Sequence, residues 1–325
     1  MNEKLLALGF SALVAAAPLG AQTTASSTYP SRPITFQVGY AAGTGIDTTA
    51  RFYAERIREA TGQPVLVVNK VGAFGNLAAS ETLRAAPDGY TVLVTPNSTI
   101  TTNGFLIKKM PFDPVKDFAP VAPIARWGAI LLVNPKNTQV GSVAALTELM
   151  KSQPGKLNFG SGNFTGQAAG ELYKIRAGVQ AVHVPYKSVP AALTDLNGGQ
   201  LNFMFADVLT GLPQARSGRL RALAVTTPKR LAAAPEIPTM AEAGVADYEL
   251  VNWFGVFLPS GSPEPVVRRL AELINAITAS SAAQDFYAKV GGEPLSGSPE
   301  DLRKLIASDT PAWGKLVKAA GIEPE

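Results

Sequence analysis

ITFQVGYAAGTGIDTTARFYAERIREATGQPVLVV, residues 34–68, decides the fold. Ile34, Phe36 and Val38 alternate with less apolar residues, which is the pattern of a half-buried strand. Residues 47–60 repeat apolar side chains at helical spacing and stop before Gly62, and residues 64–68 form a second apolar strand. Because a helix separates the two strands, we expect them to lie parallel in a βαβ unit.

The same alternation of strands and helices continues along the chain. Further strands are predicted at residues 90–94, 130–133, 157–159, 182–184, 201–205 and 223–225, and helical stretches at 77–86, 143–152, 167–177, 189–197, 265–290 and 299–319. This alternation predicts an α/β fold with parallel sheets. Ligands of such sheets bind beyond the carboxyl ends of the strands, where loops at helix N-termini present N–H groups to anions. Loops 39–45 and 160–166, rich in small and polar residues, are therefore the candidate binding loops.

The composition favours a folded protein with two lobes. The chain has 325 residues, of which 46% are hydrophobic and 17% charged. That length exceeds what one hydrophobic core usually serves. The net charge is +4, but the basic residues are scattered, so the sequence gives no support to nucleic-acid binding.

The N-terminal segment has the order of a secretory signal. Lys4 precedes an apolar stretch, and small residues surround Ala21, so residues 1–21 are predicted to be a signal peptide and residues 22–33 a flexible leader. A buried N-terminal helix is the alternative. The chain contains no cysteine, which excludes disulfides and a cysteine-linked lipid anchor. A periplasmic location is therefore expected if the cell has two membranes.

No set of catalytic or cofactor-binding residues stands out in the sequence. One histidine and no cysteine do not make a zinc or iron–sulfur site. The hydrolase motif G-x-S-x-G is absent, and the dinucleotide pattern begun at Gly43 lacks its third glycine at Thr48. A hydrolase using Ser161 and His183 remains an alternative, although His183 is better explained as a hydrogen-bonded strand residue. We therefore expect no enzyme and no cofactor.

Short motifs along the chain, taken together, resemble the Bug family, the extracytoplasmic solute-binding proteins of tripartite tricarboxylate transporters. They are YPSRPI at 29–34, VGYAAGTGID at 38–47 with Arg51, PDGYT at 87–91, FGSG at 159–162, VPYK at 184–187, LAVT at 223–226, PTMAEAG at 238–244 and WFG at 253–255. Each motif is weak alone, but their order over nearly the whole chain is specific.

The resemblance implies a two-lobed periplasmic-binding-protein (Venus flytrap) fold, with a mostly parallel sheet flanked by helices in each lobe. Lobe 1 would comprise residues 34–127 plus 257–325, and lobe 2 residues 128–256, with the chain crossing near 127–133 and 248–257. It also implies capture of a small carboxylate, membrane transporter subunits as partners and a monomeric protein. A sensor that passes the signal to a membrane kinase is a second alternative.

The ligand loops depart from the family pattern. The family usually has proline at the positions of Gly39 and Ala42 and glycine at those of Thr44 and Phe74. Thr44 therefore adds a hydroxyl that we expect to donate to the ligand, and Phe74 adds an aromatic face. Phe74 favours an aromatic or partly apolar acid, although packing under the loop explains it equally well.

The residues predicted to bind the ligand come from both lobes. They are Tyr40, Ala41, Gly43, Thr44, Gly45 and Phe74 in lobe 1, and Ser161, Gly162, Asn163, Thr165, Lys187 and Asp207 in lobe 2. Lys187 attracts an anion or lies in solvent, and Asp207 binds a ligand amine, orients donors or caps a helix. Asp47 is expected to brace the first loop and to pair with Arg51 one helical turn later. Trp127 and Trp253 are expected to pack at the crossings.

Overall fold

A computed structural model describes residues 29–324 of the chain. The predicted signal peptide, residues 1–21, and all but the end of the leader lie outside the described residues. The strands are β1 Ile34–Val38, β2 Val65–Asn69, β3 Thr91–Pro96, β4 Phe118–Val133, β5 Asn158–Ser161, β6 Val182–Pro185, β7 Phe203–Asp207, β8 Arg221–Val225, β9 Val251–Pro259 and β10 Glu293–Pro294.

Helices separate most of these strands. They are α1 Gly45–Thr61, α2 Asn76–Arg84, α3 Asn97–Thr101, α4 Asn103–Leu106, α5 Val143–Ser152, α6 Phe164–Ala177, α7 Val189–Gly198, α8 Val208–Arg216, α9 Glu264–Thr278, α10 Ser281–Val290 and α11 Pro299–Ala319. None of the helices in residues 29–324 is long and apolar enough to cross a membrane.

The first βαβ unit forms as its sequence predicts. Strand β1 pairs in parallel with β2 and with β3. Helix α1 buries Ala50, Tyr53, Ala54 and Ile57 against this sheet. It ends at Gly62, whose φ of 72° lies in the left-handed region that glycine adopts without strain.

Two sheets are joined by one long strand. The first sheet contains β2, β1, β3, β9, β4 and β10, and the second contains β6, β5, β7, β4 and β8. The 16 residues of β4 pair with β9 over 118–128 and with β7 over 129–133. We call the first sheet with α1, α2, α9 and α10 the first lobe, and the second sheet with α5, α6, α7 and α8 the second lobe. This arrangement confirms the predicted two-lobed α/β fold.

Both sheets are mixed, because each contains antiparallel strands in addition to the predicted parallel ones. The strands β1, β2 and β3, and likewise β5, β6 and β7, are parallel, as predicted. The strands that cross between lobes run antiparallel to their neighbours: β9 pairs antiparallel with β3 and β4, and β4 with β7 and β8. A chain that passes from one lobe to the other and returns must run in opposite directions along the two crossings.

Two predicted elements needed correction, and one helix was missed. Strand β4 begins at residue 118, not 130, and its early part contains Pro120 and Pro123, which argue against a central strand. The pairing of β4 with β9 shifts register directly after each of these prolines, which is how the strand accommodates them. The stretch 265–290 forms two helices, because the Ser280 hydroxyl accepts from the Ala283 N–H and starts α10. Helix α8, which contains Pro213, was not predicted.

The last helix contacts both lobes. Leu302 and Ile306 lie in a hydrophobic cluster with Phe257 of the first sheet. Trp313 and Val317, two turns later, lie in a cluster with residues of the second lobe, and the Trp313 ring packs against Phe164 with centroids 5.7 Å apart. The predicted assignment of residues 257–325 to the first lobe alone, and the other predicted boundaries, stay predictions.

Candidate functional site

The candidate site is a cavity between the two lobes, at the carboxyl ends of the parallel strands. It encloses about 50 Å³, enough for a few water molecules, so the two lobes lie close together. Its walls come from the loops after β1, β2, β3, β5 and β6, from the end of β7 and from the crossing strands β4 and β9. This position is where open parallel sheets bind their ligands.

Most residues predicted to bind the ligand line this cavity. Tyr40, Ala41, Thr44, Gly45, Gly162, Asn163, Thr165, Lys187 and Asp207 are in its walls. Gly43, Phe74 and Ser161 are not among the lining residues. Contact of any of them with a ligand stays a prediction.

The N-terminus of α1 forms one wall of the cavity, and no side chain caps it. Thr44 is the N-cap residue, but its hydroxyl donates to the Ala41 carbonyl at 2.7 Å and accepts nothing from the helix. The hydroxyl proton expected to serve the ligand is therefore used within the loop. Gly45 and Ile46, the first residues of this 17-residue helix, line the cavity. The cavity therefore adjoins the uncapped N–H groups of the first turn and the positive end of the helix dipole.

Asp47 holds the β1–α1 loop in place, as expected. Its Oδ2 accepts from the Gly43 N–H at 2.9 Å and its Oδ1 from Asn69 Nδ2 at 2.8 Å. Arg51 pairs with it at 3.0 Å, which confirms the expected i,i+4 pair. Burial opposes ionisation of this carboxyl, but the hydrogen bonds from Arg51, Asn69 and Gly43 outweigh it and lower the pKa of Asp47. Asp47 is thus engaged by its own loop and strand.

Phe74 lies on a strained turn and is not among the residues that line the cavity. Its φ of 52° is unusual for a residue with a Cβ, and 39% of the residue is exposed. Its carbonyl accepts from Tyr40 Oη at 3.1 Å, Thr99 Oγ1 at 3.2 Å and Asn103 Nδ2 at 3.0 Å. These donors hold the turn in its strained conformation. Contact of the Phe74 ring with a ligand, and its packing under the loop, both stay predictions.

The binding loops of the second lobe cap their own helices. The Asn163 side chain accepts from the Gly166 N–H at 2.9 Å, and Ser188 accepts from the Ala191 N–H at 3.4 Å. Both residues line the cavity. Their side-chain acceptors are occupied, so α1, not α6 or α7, offers the uncapped helix end.

Ser161 and His183 form a hydrogen bond inside the second lobe. Ser161 Oγ lies 2.7 Å from His183 Nε2, and Ser161 is buried behind the cavity wall. The His183 ring packs against Phe159, with centroids 5.0 Å apart. Burial and the nearby positive charge of Lys174 lower the pKa of His183 to about 4. A neutral, packed imidazole of this kind agrees with the strand-residue interpretation.

His183 is expected to make folding pH-dependent. Its pKa is near 6.5 in an unfolded chain and about 4 in the folded protein, so proton uptake between these values favours unfolding. The free energy of unfolding should fall by about 1–2 kcal/mol as the pH drops from 6.5 to 4, the partly exposed ring reducing the effect. Below pH 4 and above pH 6.5 the contribution is constant.

NMR titration of the imidazole tests this pKa directly, because the chain contains a single histidine. The free energy of unfolding of wild type and of His183→Asn should be compared at each pH. The effect of the carboxylates, which both proteins share, then cancels in the difference. A titration midpoint near 6.5 would contradict the assignment.

Two buried polar atoms in the cavity wall have no hydrogen-bond partner among the described residues. They are Trp127 Nε1, a donor, and Asn252 Oδ1, an acceptor. Asn252 Nδ2 donates to Thr165 Oγ1 at 2.9 Å. A buried polar atom without a partner costs free energy, so these two atoms slightly destabilise the wall.

The crossing strands supply several lining residues that the sequence did not predict. Trp127 and Phe254 pack with their rings tilted by 31° and their centroids 5.7 Å apart, and both line the cavity with Asn252. Other unpredicted lining residues lie after β2, at the end of β3 and in α3, among them Val71, Pro96 and Ser98. Trp127 and Trp253 were predicted at the crossings as packing residues only. The motif at 253–255 marked the crossing, but no local pattern shows that residues 252 and 254 face the cavity.

Comparison with known proteins places this chain among receptors of one transporter class. The model of the tripartite tricarboxylate transporter family receptor matches residues 49–322. Protein BugT of Bordetella pertussis is 32% identical over 324 residues, which cover 99% of each chain. A UPF0065 protein encoded in the tcbD-tcbE intergenic region of Pseudomonas sp. strain P51 is 34% identical over 89% of this chain and 86% of its own.

Solved structures give the same result. An R. palustris protein solved with adipate is 35% identical, with a TM-score of 0.89 over 91% of this chain and all of its own. The periplasmic binding protein BugD is 30% identical, with a TM-score of 0.85 over 91% of this chain and all of its own. MatC from Rhodopseudomonas palustris, solved with malate, is 28% identical, with a TM-score of 0.81 over 89% of this chain and all of its own.

Proposed function

This chain belongs to the tripartite tricarboxylate transporter receptor family, and from that membership we propose that it captures a small organic acid in the periplasm for membrane transporter subunits. The observation that most directly supports this proposal is the uncapped N-terminus of α1 in the wall of the cavity between the lobes. An anion there accepts from backbone N–H groups and meets the positive end of the helix dipole. Lys187, also in the wall, adds a positive charge.

Closure of the lobes accompanies capture in this proposal. Donors from the first lobe, the second lobe and the crossing strands reach one cavity only when the lobes approach each other. A closed complex then presents a surface to the transporter that differs from the open form. Adipate and malate in the two R. palustris relatives support a carboxylate as the ligand. Export by the predicted signal peptide and a monomeric state are parts of the same proposal.

The Ser161–His183 bond is the observation that favours a hydrolase instead. The pair has the spacing of a nucleophile and its base. However, Ser161 does not line the cavity, and a base with a pKa of about 4 is too weak to activate a hydroxyl efficiently near neutral pH. A structural hydrogen bond explains the pair better, so we propose binding without catalysis. Turnover of an ester or amide that is lost in Ser161→Ala would contradict this.

A thermal-shift screen tests the proposed function. A ligand present at 100 times its Kd stabilises the folded state by about 2.7 kcal/mol, which raises Tm by several degrees in a chain of this size. We expect at least one small mono- or dicarboxylate at millimolar concentration to produce such a shift. The neutral methyl ester of the same acid is the matched control, because it keeps the carbon skeleton and lacks the anion. No shift with any acid, on a folded protein, would overturn the proposal.

A further inference from the structure

Asp207 is an acidic residue in the wall of a cavity that we propose holds an acid. It ends strand β7, lines the cavity and lies against the first residue of α1 in the opposite lobe. Asp207 Oδ1 is 3.0 Å from the position that a Cβ on Gly45 would occupy. A carboxylate so placed repels a second carboxylate, so its presence restricts which acids the cavity accepts.

The hydrogen bonds of Asp207 leave part of its carboxyl group unused. Oδ1 accepts from the Thr210 N–H at 3.1 Å and thereby caps α8. Oδ2 accepts from none of the residues in the described range 29–324, and no Lys or Arg of that range forms a salt bridge with this carboxyl group. Lys187 shares the cavity wall but is not its ion-pair partner. Burial raises the pKa of Asp207, so an ionised group here needs a donor to stabilise it.

A second acceptor without a partner lines the same cavity. Asn252, only 6% exposed, has an unpartnered Oδ1, while its Nδ2 is engaged by Thr165. The wall therefore contains two acceptor side chains, Asp207 and Asn252, that the protein itself does not fully satisfy. A ligand made only of carboxylates and hydrocarbon has no donor for either of them.

We propose that the ligand is an acid that also carries a hydrogen-bond donor close to its carboxylate, a 2-hydroxy or 2-amino acid, and that Asp207 selects for that donor. This inference rests on the proposed function. The carboxylate lies at the N-terminus of α1, and the donor reaches Asp207 Oδ2. Hydroxyl and ammonium groups share the chemistry that this acceptor needs.

The contact between Asp207 and Gly45 sets the position of the donor on the ligand. Because the carboxyl group of Asp207 lies against the helix end that we propose binds the acid, the donor and the carboxylate of the ligand must lie close together. A hydroxyl or amine on the carbon next to the carboxylate fits this spacing. A donor at the far end of a long chain does not.

Matched pairs of acids test the inference on the wild-type protein. Isothermal titration should compare malate and aspartate with succinate, lactate with propionate, and mandelate with phenylacetate. We expect the donor-bearing member of at least one pair to bind at least about tenfold more tightly, since an unsatisfied buried acceptor costs roughly 1–3 kcal/mol. Malate against aspartate decides between hydroxyl and ammonium.

The variant Asp207→Asn tests whether Asp207 causes the preference for donor-bearing acids. Asparagine still caps α8 and keeps the side-chain shape, but its amide offers a donor to plain acids. The preference should fall to within about threefold, mainly through tighter binding of the plain acid. Asp285→Asn, the same change on the exposed surface of α10, should leave the preference unchanged.

The outcomes separate this inference from the proposed function. Equal affinity for both members of every pair in wild type would overturn the inference and leave carboxylate capture standing. An Asp207→Asn protein that keeps the full preference would overturn the role of Asp207. Failure of every acid to bind would overturn the proposed function itself. The comparison in wild type needs no variant, so misfolding of Asp207→Asn cannot obscure it.

Discussion

Gly162→Ala is expected to abolish acid binding and to destabilise the second lobe. A Cβ at Gly162 would lie 2.0 Å from the Ser188 carbonyl carbon and 2.0 Å from the Val189 nitrogen. Both atoms are main chain at the start of α7, so no rotamer change can relieve the clash. The β5–α6 and β6–α7 loops, which both line the cavity, would have to separate. We expect a loss of about 3 kcal/mol in the free energy of unfolding and at least about a hundredfold weaker binding.

Thermal unfolding and titration with the acid that performs best in the screen measure both effects. Gly198→Ala is the matched control, because it lies in α7, has no positive φ and would place its Cβ more than 4 Å from any neighbour. Alanine should keep or slightly raise the stability at that helical position. If Gly162→Ala unfolded and bound like wild type, the close approach of the two loops would be refuted.

Gly45→Leu is expected to block closure while leaving both lobes folded. The three atoms nearest to a Cβ at Gly45 all belong to Asp207 of the opposite lobe, at 3.0, 3.4 and 3.8 Å. A leucine would therefore fill the gap between lobes without entering either core. Affinity for the acid should fall at least about a hundredfold, whereas Tm without ligand should stay within about 2 °C of wild type.

Small-angle X-ray scattering gives an independent readout of closure. Wild type should contract when the acid is added, and Gly45→Leu should keep the dimensions of its ligand-free form. Gly104→Leu is the control, since Gly104 lies in α4 outside the cavity wall and has no atom within 4 Å of its Cβ position. A Gly45→Leu protein that contracts and binds normally would show that the lobes do not meet at Gly45.

The loops of the site were predictable because parallel sheets impose their position. Once strands and helices alternate, the residues after each strand must lie at one edge of the sheet, and Tyr40, Thr44, Gly162 and Lys187 all line the cavity as that rule requires. The side-chain roles were less predictable. Thr44 was expected to donate to the ligand, but a carbonyl three residues earlier in its own loop takes its proton.

The crossing strands show where local patterns fail. Pro120 and Pro123 hide the first part of β4 from a strand prediction, because proline normally interrupts a ladder, and only the register shifts opposite β9 make room for them. Trp127, Asn252 and Phe254 enter the cavity because two antiparallel crossings twist side by side between the lobes. That pairing joins residues more than 120 positions apart, so no short window of sequence contains it.

The sequence by itself determined the α/β class, the two lobes, the family and the loops that meet at the site. These depend on periodicity, on glycine and helix-start signals, and on the order of motifs, all of which are local or additive along the chain. Only the tertiary structure decided that the start of α1 is uncapped, that Phe74 is not part of the cavity wall and that Asp207 of one lobe lies against Gly45 of the other. Whether a polar group is free for a ligand depends on its three-dimensional neighbours, and at Asp207 those neighbours come from the opposite lobe.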